Sequence, residues 1–364
     1  MLTVEELARY QRHLALQGFG LGAQEQLKAG KVLVVGAGGL GCPALLYLAA
    51  AGVGRIVLVD SDRVEASNLQ RQVLYAEEDL GQPKAEVAAR RLRALSSLVD
   101  VVAVADRLRR DNVLDLIRAS DVVIDGSDNF ATRYLVNDAC VMVDRPFVYG
   151  AVQGFDGQLS VFNWRGGPTY RCLFPSPPPA ELAPNCAQAG VLGVLPGIVG
   201  TWQAGEAIKI LAGVGEPLSG KLLLWNALTM NVQLISLAAD PKSRPIRELA
   251  ADEGYAACAS ASWEIEAAEL RSLMSLGAVQ LLDVREDWER ARDAIVPSRH
   301  VPLGQLEEPL VADLLEGLRP DLPIIVYCAA GVRSLRAVTL LRERFGFRAA
   351  RSLRGGIHSW RAIG

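Results

Sequence analysis

From Lys31 to Gly150 the sequence alternates short runs of β-branched residues with segments of helical periodicity. The runs are KVLVVG, RIVLVD, VDVVAVA and DVVIDG, and helical segments such as LLYLAAAG and KAEVAARRLRAL separate them. Strands that are apolar on both faces and are separated by helices are typical of a parallel sheet covered by helices on both sides. This part of the chain therefore predicts an α/β fold with a doubly wound, Rossmann-like sheet.

The chain changes character after Gly150. QLSVFNW has the pattern of an antiparallel strand, and the Pro-rich segment PTYRCLFPSPPPAELAPNC that follows is too irregular to belong to the core. Loops above about 12–15 residues are uncommon in compact domains and are usually functional or mobile. GIVGTWQAGEAIKILAG then predicts a helix and KLLLWNA a strand, which complete a first domain at residues 1–237.

A second, smaller domain follows a linker. Residues 238–262 are poor in large apolar side chains, so we interpret them as the linker. From Trp263 onwards, VQLLDV and LPIIVYC predict strands, and SLRAVTLLRERF predicts an amphipathic helix. Residues 263–364 therefore predict an α/β domain of about one hundred residues, which is a common domain size.

Charge and cysteine content exclude several classes of protein. The 38 basic and 41 acidic side chains nearly cancel, and no long basic run could follow the phosphates of a nucleic acid. Six widely spaced cysteines are too few for a disulfide scaffold in a chain of 364 residues. The N-terminal MLTVEELARYQRHLALQ lacks the features of a signal peptide, and the apolar runs are far shorter than the ~20 residues of a membrane span. We expect a cytoplasmic protein with reduced thiols that binds neither nucleic acid nor a membrane.

A glycine-rich turn follows the first predicted strand and opens a helix. Its glycines, in VVGAGGLGC, are Gly36, Gly38, Gly39 and Gly41, and Asp60 ends the next strand. Glycines let the backbone approach phosphates, the helix N-terminus favours anions, and a carboxylate about twenty residues further on can bind ribose hydroxyls. This pattern predicts a nucleotide site, although a tight strand-to-helix turn is the simpler alternative and the nucleotide could equally be NAD.

Polar and cationic side chains beyond Asp60 favour a triphosphate over a dinucleotide. SNLQRQ supplies Asn68 and Arg71, and Lys84 begins a predicted helix in GQPKAE. A triphosphate carries more charge than a pyrophosphate diester and gains from additional cations. Asp128 lies just beyond another predicted strand, where the ligand crevice of a parallel sheet is expected to hold a Mg²⁺ carboxylate. Each of these side chains could instead be solvated, and Asp128 could cap the helix that starts near Asn129.

These motifs together carry a family resemblance. RYQRHL, GAGGLG, VDSD, SNLQRQ, GQPKAE and DGSDNFATR resemble the adenylyltransferase family that activates ubiquitin-like proteins, most closely its bacterial molybdopterin-synthase branch. The resemblance covers residues 1 to about 237, and SNLQRQ in register with GxGGxG is its most specific part. It implies a Rossmann-like sheet of the ubiquitin-activating type.

The resemblance also implies which residues bind the nucleotide. Gly39 is the loop glycine that approaches the phosphates, and Asp128 holds Mg²⁺. Four further side chains bind the ribose and the phosphates, namely Asp60 for the ribose and Asn68, Arg71 and Lys84 for the phosphates.

In the family, the C-terminal glycine carboxylate of a small carrier protein attacks the α-phosphate of ATP, giving an acyl adenylate and pyrophosphate. Charge neutralisation and positioning do most of the work in such chemistry. Arg12 corresponds to an arginine that the family supplies across a homodimer interface, and its alternative is an ordinary surface arginine. The resemblance thus implies ATP and Mg²⁺, a homodimer, and a ubiquitin-like sulfur carrier that ends in Gly-Gly.

Two further cysteines are interpreted through the same resemblance. Cys186 in PNCAQAGVLG matches the family's acceptor cysteine, which takes the activated carboxylate or sulfur, and its alternative is a loop residue with no role. Many relatives hold structural zinc with two Cys-x-x-Cys pairs, but this chain has Thr169 to Cys172 at the first pair and Ser243 to Ile246 at the second. Tetrahedral zinc needs four N or S ligands, so no zinc is expected here.

The second domain contains a cysteine loop of its own. In LPIIVYCAAGVRSLRAVTLL, Cys328 ends a predicted strand and Arg333 precedes a helix. The backbone N–H groups of such a loop can form a nest that stabilises a thiolate and holds a sulfur anion, although a buried strand-end cysteine would look similar. With LLDVRE, HVPLGQL and LRGGIHSW, the segment resembles a rhodanese sulfurtransferase over about residues 263–364. The resemblance implies a persulfide on Cys328, and Asp283 and Arg285 match a strand-end pair that organises that domain.

The size of this loop separates sulfur chemistry from phosphate chemistry. Related phosphatases have one residue more between the cysteine and the arginine, which makes room for a phosphate. The shorter CAAGVR suits a single sulfur atom.

The two resemblances combine into one predicted function. The first domain adenylates the carrier, and the second supplies sulfur from a persulfide donor such as a cysteine desulfurase, so that the carrier ends in a thiocarboxylate. Molybdenum cofactor synthesis is the expected pathway, with tRNA thiolation, thiamine or cysteine synthesis as alternatives. Two other functions stay open: transfer of a ubiquitin-like modifier through a thioester at Cys186, and NAD-dependent oxidation.

Overall fold

The structure is a computed structural model that describes residues 1–177, 190–250, 255, 263–275, 277, 279–308, 312–319, 322–347 and 349–362. Within these ranges the chain divides into two compact units. The first contains residues 1–177, 190–250 and 255, and the second contains the described residues from 263 onwards. Cys186 lies outside the described residues. The limits 1–237, 238–262 and 263–364 remain predictions.

The described residues of the first unit form an eight-stranded sheet in the order β3-β2-β1-β4-β5-β6-β7-β8. Strands β1 to β5 pair in parallel, and β6, β7 and β8 add antiparallel pairs at one end. Their bounds are β1 (Lys31–Val35), β2 (Arg55–Val59), β3 (Asp100–Val104), β4 (Val122–Asp125), β5 (Phe147–Gln153), β6 (Asp156–Phe162), β7 (Lys221–Asn226) and β8 (Asn231–Ser236).

Helices cover both faces of this sheet. Their bounds are α1 (Val4–Arg9), α2 (Gln11–Leu14), α3 (Gly20–Ala29), α4 (Gly41–Ala51), α5 (Lys84–Leu95), α6 (Val113–Arg118), α7 (Phe130–Met142), α8 (Tyr170–Leu173) and α9 (Val194–Ala212). Short 3₁₀ turns lie at Ala66–Asn68, Glu77–Asp79 and Pro241–Ser243. Among the described residues, no helix combines the length and the apolarity that crossing a membrane requires.

Strand β1 shows why the strands of this sheet are apolar on both faces. Val32 and Val34 pack into one core with residues of α4, α5 and α9, whereas Leu33 and Val35 pack into another with α6 and α7. Alternate side chains of a strand point to opposite faces, so a strand covered on both sides has no polar face. The predicted doubly wound α/β fold is confirmed.

Three details differ from the sequence interpretation. The Pro-rich segment is not wholly outside the core, because Tyr170 of α8 is fully buried against the rings of Tyr134 and Tyr149. Strand β5, which the apolar pattern did not reveal, is central in the sheet. Strand β8 was also missed: all six of its residues are exposed at the sheet edge, so burial leaves no periodic pattern in its sequence.

The described residues of the second unit form a parallel sheet in the order β11-β10-β12-β13-β9. Its elements are β9 (Glu264–Ile265), α10 (Ala267–Ser275), β10 (Gln280–Asp283), α11 (Asp287–Arg290), β11 (Arg299–His300), α12 (Leu303–Leu306), β12 (Ile324–Tyr327), α13 (Val332–Arg344), β13 (Arg351–Leu353) and α14 (Gly356–Ala362), with a 3₁₀ turn at Ala312–Leu315. Two clusters of apolar side chains form its core, one of which includes Cys328. The predicted strands β10 and β12 and the predicted helix α13 are present.

Candidate functional site

The first site lies where the strand order reverses, between β1 and β4. Val35 and Asp125 are register partners at the carboxyl ends of these strands, and the Gly126 N–H donates to the Val35 carbonyl at 2.8 Å. Gly36 has φ +89°, and a Cβ on it would lie 2.9 Å from the Gly126 oxygen. The loop after β1 and the loop after β4 therefore lie side by side. This is the crevice in which open α/β sheets bind their ligands.

Close packing explains Gly41 and Gly39, whereas a Cβ on Gly38 would make only an ordinary contact. A Cβ on Gly41 would lie only 1.9 Å from the Gly36 oxygen, so no other residue fits there. A Cβ on Gly39 would lie 3.1 Å from Pro196 of α9, and one on Gly38 would lie 3.7 Å from the Gln72 amide nitrogen. The loop passes directly into α4, whose N-terminus favours an anion. This shape fits a phosphate cradle and brings Gln72, an amide side chain of SNLQRQ, against it.

Asp60 is fixed by backbone groups at the end of β2. Its two carboxylate oxygens accept the N–H groups of Ala37 at 2.7 Å and Asp62 at 2.8 Å. Burial raises the pKa of Asp60, and these two hydrogen bonds partly offset the effect of burial. Each oxygen keeps a further lone pair. The geometry is compatible with the predicted ribose contact and links Asp60 to the glycine loop through Ala37.

The predicted phosphate-binding side chains are held by local contacts. Lys84 is nearly buried and forms an ion pair of 3.0 Å with Asp62. Asn68 is buried and donates to the Ser67 hydroxyl, and Arg71 donates to the Ser67 carbonyl. The cation of Lys84 is thus paired with an exposed carboxylate in the structure, an arrangement that an incoming phosphate could replace.

Asp128 is exposed on the loop after β4, and it does not cap α7. The cap is Asn129, whose side chain accepts the Thr132 N–H at 2.9 Å, so the cap alternative for Asp128 is wrong by one residue. Among the described residues, no group of three or more His, Cys, Asp or Glu side chains could hold a metal ion. Mg²⁺ is commonly bound by one or two carboxylates together with substrate phosphates, so a single exposed carboxylate fits an ion that arrives with a nucleotide.

Beside Asp128 lies a buried ion pair that the sequence did not reveal. Arg133 of α7 donates from Nε to Asp125 at 3.1 Å and also donates to the Ser127 carbonyl. Asp125 in turn accepts the Ser127 N–H at 3.0 Å and the Ser127 hydroxyl at 2.5 Å. The pair therefore holds the residue next to Asp128 from two sides. The only signal in the sequence was a charged residue at the end of an apolar strand.

The remaining predicted residues of the first unit are placed less completely. Arg12 lies exposed on α2, and its role across a dimer interface stays a prediction. Cys186 lies outside the described residues. The chain is described again from Gly190, and a Cβ on Gly193 would meet the Gln70 oxygen at 2.1 Å. The segment before α9 thus packs against the SNLQRQ turn.

Cys172 and Ser243, which stand where many relatives have the two zinc-binding pairs, lie together. Their Sγ and Oγ atoms are 3.1 Å apart, and the N–H groups of Asp240 and Thr169 donate to Sγ at 3.2 Å each. Burial raises the pKa of the Cys172 thiol, but these hydrogen bonds outweigh it, and the pKa is lowered below its ordinary value. Hydroxyl and backbone groups occupy the positions around the sulfur, where zinc would require further N or S ligands.

The second site surrounds Cys328, directly after β12. The thiol is buried at the base of its loop, where the Val332 N–H donates to Sγ at 3.1 Å and the Ser334 hydroxyl at 3.5 Å. Gly331 at φ +92° turns the loop into α13. A Cβ on Gly356 would lie 2.3 Å from the Cys328 oxygen, so the start of α14 packs against the loop. N–H and O–H donors thus converge on this sulfur.

Two ion pairs support the loop from the neighbouring strand and helix. Arg285 donates to both oxygens of Asp283, at 2.9 and 2.8 Å, and this pair is buried at the end of β10 as predicted for an organising pair. Arg333, in the first turn of α13, donates to both oxygens of Glu289 on α11, each at 2.6 Å. This contact holds the pKa of Glu289 below its ordinary value. Sequence reasoning missed Glu289, which stands among several charged residues in REDWERAR.

Comparison with known proteins finds a family model that matches each of the two units. Residues 10–245 match the ThiF family model, and residues 266–363 match the rhodanese-like domain. The chain belongs to the ThiF family. It is an enzyme of the adenylyltransferase and sulfurtransferase type, as the sequence predicted, and the family does not fit the oxidoreductase alternative.

Relatives from Mycobacterium tuberculosis and Zea mays align with this ThiF-family chain over nearly its whole length. It is 42% identical to the adenylyltransferase/sulfurtransferase MoeZ of Mycobacterium tuberculosis, covering 99% of this chain and 94% of the relative. It is 39% identical to adenylyltransferase and sulfurtransferase MOCS3-1 of Zea mays, covering 99% and 82%. The sulfur carrier protein adenylyltransferase of Thermus thermophilus is 54% identical and covers 66% of this chain and 90% of its own length.

Solved structures confirm the fold over about two thirds of this ThiF-family chain. A crystal structure of E. coli MccB with MccA-N7isoASN aligns with a TM-score of 0.58 at 24% identity, covering 64% of this chain and 72% of MccB. The crystal structure of PaaA aligns with a TM-score of 0.57 at 22% identity, covering 66% and 76%.

Proposed function

We propose that this chain uses ATP to adenylate the C-terminal glycine of a ubiquitin-like sulfur carrier and then replaces the adenylate with sulfur carried on Cys328. One observation carries the proposal: a match to the ThiF family and a match to the rhodanese-like domain occur in one chain. An acyl adenylate is an activated carboxylate, and a persulfide is a nucleophile that consumes it. Each site therefore makes or supplies what the other requires.

In the adenylation step, a carboxylate oxygen of the carrier attacks the α-phosphorus of ATP, and the bond to the leaving pyrophosphate breaks. The cradle around Gly36 and Gly39 offers backbone N–H groups to the phosphates, and Asp60 orients the ribose. Lys84 exchanges Asp62 for a phosphate oxygen, Arg71 neutralises charge on the leaving group, and Asn68 donates a hydrogen bond to it. These assignments are supported by the convergence of the loops after β1 and β4.

Asp128 is the residue that we propose for holding Mg²⁺. When bound, the ion supplies charge neutralisation to the polyphosphate. The buried pair of Asp125 and Arg133 keeps the Asp128 loop in place through Ser127. We further propose a homodimer in which Arg12 of one protomer reaches the nucleotide of the other.

In the sulfur step, the Cys328 thiolate attacks the outer sulfur of a persulfide donor such as a cysteine desulfurase, whose own cysteine leaves as a thiolate. The terminal sulfur on Cys328 then attacks the acyl carbon of the adenylate, and AMP leaves. A second thiolate, which we assign to Cys186, attacks the Cys328 sulfur and releases the carrier thiocarboxylate, and a cellular thiol reduces the resulting disulfide. The donors from Val332 and Ser334 stabilise the sulfur anion at each stage.

We place this reaction in the cytoplasm and, as the first pathway to test, in molybdenum cofactor synthesis. Carriers for tRNA thiolation, thiamine and cysteine synthesis are the alternatives. Comparing candidate carriers as substrates distinguishes these pathways, because only the cognate carrier stimulates exchange of pyrophosphate into ATP at low concentration.

Carrier-dependent exchange of pyrophosphate into ATP tests the nucleotide site. Asp128→Ala is expected to abolish exchange, because the metal loses its protein ligand. Asp121→Ala is the matched control: Asp121 is an exposed aspartate at the opposite end of β4, where it accepts the Lys31 N–H. Full exchange in the Asp128 variant would overturn the assignment.

A second experiment separates sulfur transfer from modifier transfer. If the chain instead passed a modifier through a thioester at Cys186, a reducible covalent adduct with the carrier would accumulate and Cys328→Ala would be without effect. We expect the opposite: Cys328→Ala abolishes thiocarboxylate formation and leaves pyrophosphate exchange intact.

A further inference from the structure

The ion pair between Glu289 and Arg333 has a geometry that bears on the choice of sulfur donor. Both terminal nitrogens of the guanidinium donate to the carboxylate, one to each oxygen, at 2.6 Å. The side chain of Arg333 is only 26% exposed and that of Glu289 only 12%, so water screens the pair weakly. A fork-to-fork contact of this kind is the strongest that an arginine makes with a carboxylate.

In this pair Glu289 binds Arg333, which is the cationic residue nearest in sequence to Cys328. Arg333 follows the CAAGV loop directly and interacts electrostatically with Cys328. The donors that contact the Cys328 sulfur, the Val332 N–H and the Ser334 hydroxyl, are uncharged. With the guanidinium neutralised by Glu289, the loop offers hydrogen bonds to a sulfur atom but little net positive charge to an oxyanion.

Sulfur donors differ in this respect. Thiosulfate carries a sulfonate group with charged oxygens, whereas a hydropersulfide presents sulfur and no charged oxygen. With thiosulfate, the Cys328 thiolate would attack the outer sulfur, the S–S bond would break, and sulfite would leave. Binding of the sulfonate gains from a free guanidinium, since charge-assisted hydrogen bonds are about twice as strong as neutral ones. A carboxylate that already occupies both arms of that guanidinium competes with the sulfonate.

We propose that Glu289 is a positioning residue that sets donor specificity: by occupying both arms of Arg333, it makes the Cys328 loop discriminate against oxyanion donors such as thiosulfate and favour persulfides. The inference rests on the proposed role of Cys328 as the sulfur carrier. Glu289 does not touch the transferred sulfur in this account. It acts only through Arg333.

The test uses the full chain, with cyanide as the sulfur acceptor and two donors, thiosulfate and the hydropersulfide of 2-mercaptoethanol. Glu289→Gln is expected to lower the KM for thiosulfate by about tenfold, because the freed guanidinium regains part of a charge-assisted hydrogen bond to the sulfonate. The KM for the persulfide, which has no charged oxygens, is expected to change less than twofold. Sulfate, which cannot donate sulfur, is expected to inhibit the variant more strongly.

Two variants control for other effects. Glu289→Asp retains the charge and is expected to keep the wild-type preference. Glu307→Gln removes the carboxylate of another ion pair to α13, with Arg336 at 3.3 Å, and is expected to change neither KM. Turnover with the persulfide donor reports that the second unit of each variant is intact, and Glu289→Ala carries the same expectation if the Gln variant folds poorly.

The outcomes separate this inference from the function on which it rests. If wild-type protein shows no turnover with either donor and Cys328 takes up no sulfur, the proposed function fails. If it turns over but Glu289→Gln leaves the KM for thiosulfate unchanged or raises it, the specificity role is wrong. An equal fall in KM for both donors would also overturn it, because the effect would then not depend on the charged oxygens.

Discussion

Asp125 and Arg133 form a buried ion pair of 3.1 Å at the carboxyl end of β4, and both hold Ser127, the residue before Asp128. The carboxylate is fully buried and the guanidinium side chain is only 8% exposed. The carboxyl end of β4 is therefore the place where the stability of the fold and the geometry of the nucleotide site depend on the same contact.

Breaking this pair is expected to destabilise the first unit strongly. Arg133→Met leaves Asp125 buried without its partner, and removing one member of a buried pair costs about 3–5 kcal/mol. Hydrogen exchange of the peptides that contain β4 and α7 measures the loss. Arg118→Ala, which breaks an exposed pair with Asp115, is the control and should leave exchange unchanged. Equal protection in the Met variant and wild type would contradict the account.

Lys84 is expected to contribute to ATP binding rather than to stability alone. Lys84→Ala removes a charged hydrogen bond to phosphate, a contribution of about 1.5–3 kcal/mol, and should lower kcat/KM for ATP in pyrophosphate exchange by about 10–100-fold. Lys31→Ala is the control, because Lys31 is exposed at the opposite end of β1. Unchanged kinetics in the Lys84 variant would mean that its pair with Asp62 is purely structural.

The sequence revealed the fold and part of the site for a definite physical reason. Strands that are buried on both faces leave continuous apolar runs in the sequence, and a loop that approaches phosphates needs glycine. The sequence therefore predicts β1, β4 and the glycine loop that begins at Gly36. Contacts between distant residues leave no comparable signal. Nothing in the sequence indicates that Arg333 pairs with Glu289, because the register between α11 and α13 depends on the packing of the whole second unit. The same holds for Asp125, whose role follows from its contacts with Arg133 and Ser127.

Cys172 is expected to be alkylated more readily than Cys42 and Cys140. Its thiol is partly exposed and its pKa is lowered, whereas burial raises the pKa of Cys42 to about 12 and also raises that of Cys140. Alkylation consumes the thiolate, so its rate increases as the pH rises through the thiol pKa. Ser243→Ala removes one hydrogen bond to the sulfur and should move this increase to higher pH. Peptide mass spectrometry of iodoacetamide-treated protein measures it, and an identical pH profile in the variant would contradict the account.

Gly356 is expected to be required for sulfur loading and not for adenylation. A Cβ at this position would lie 2.3 Å from the Cys328 oxygen and 2.6 Å from Ala329, and the residue has φ +58°. Gly356→Ala should therefore displace the loop and reduce persulfide formation on Cys328. Gly346→Ala is the control, because Gly346 has φ +75° but open space around it. Sulfur loading is measured as the added mass on the Cys328 peptide, and normal loading in the Gly356 variant would contradict the packing argument.

The central claim is that one chain makes an acyl adenylate and converts it to a thiocarboxylate with sulfur from Cys328. Intact mass spectrometry of a Gly-Gly carrier, incubated with the protein, ATP, Mg²⁺ and a persulfide donor, tests it most directly. The account predicts a gain equal to the difference between a sulfur and an oxygen atom with wild-type protein. It predicts no gain with Asp128→Ala, which lacks the adenylate, or with Cys328→Ala, which lacks the sulfur. A carrier that gains this mass undiminished with the Cys328 variant would contradict the account.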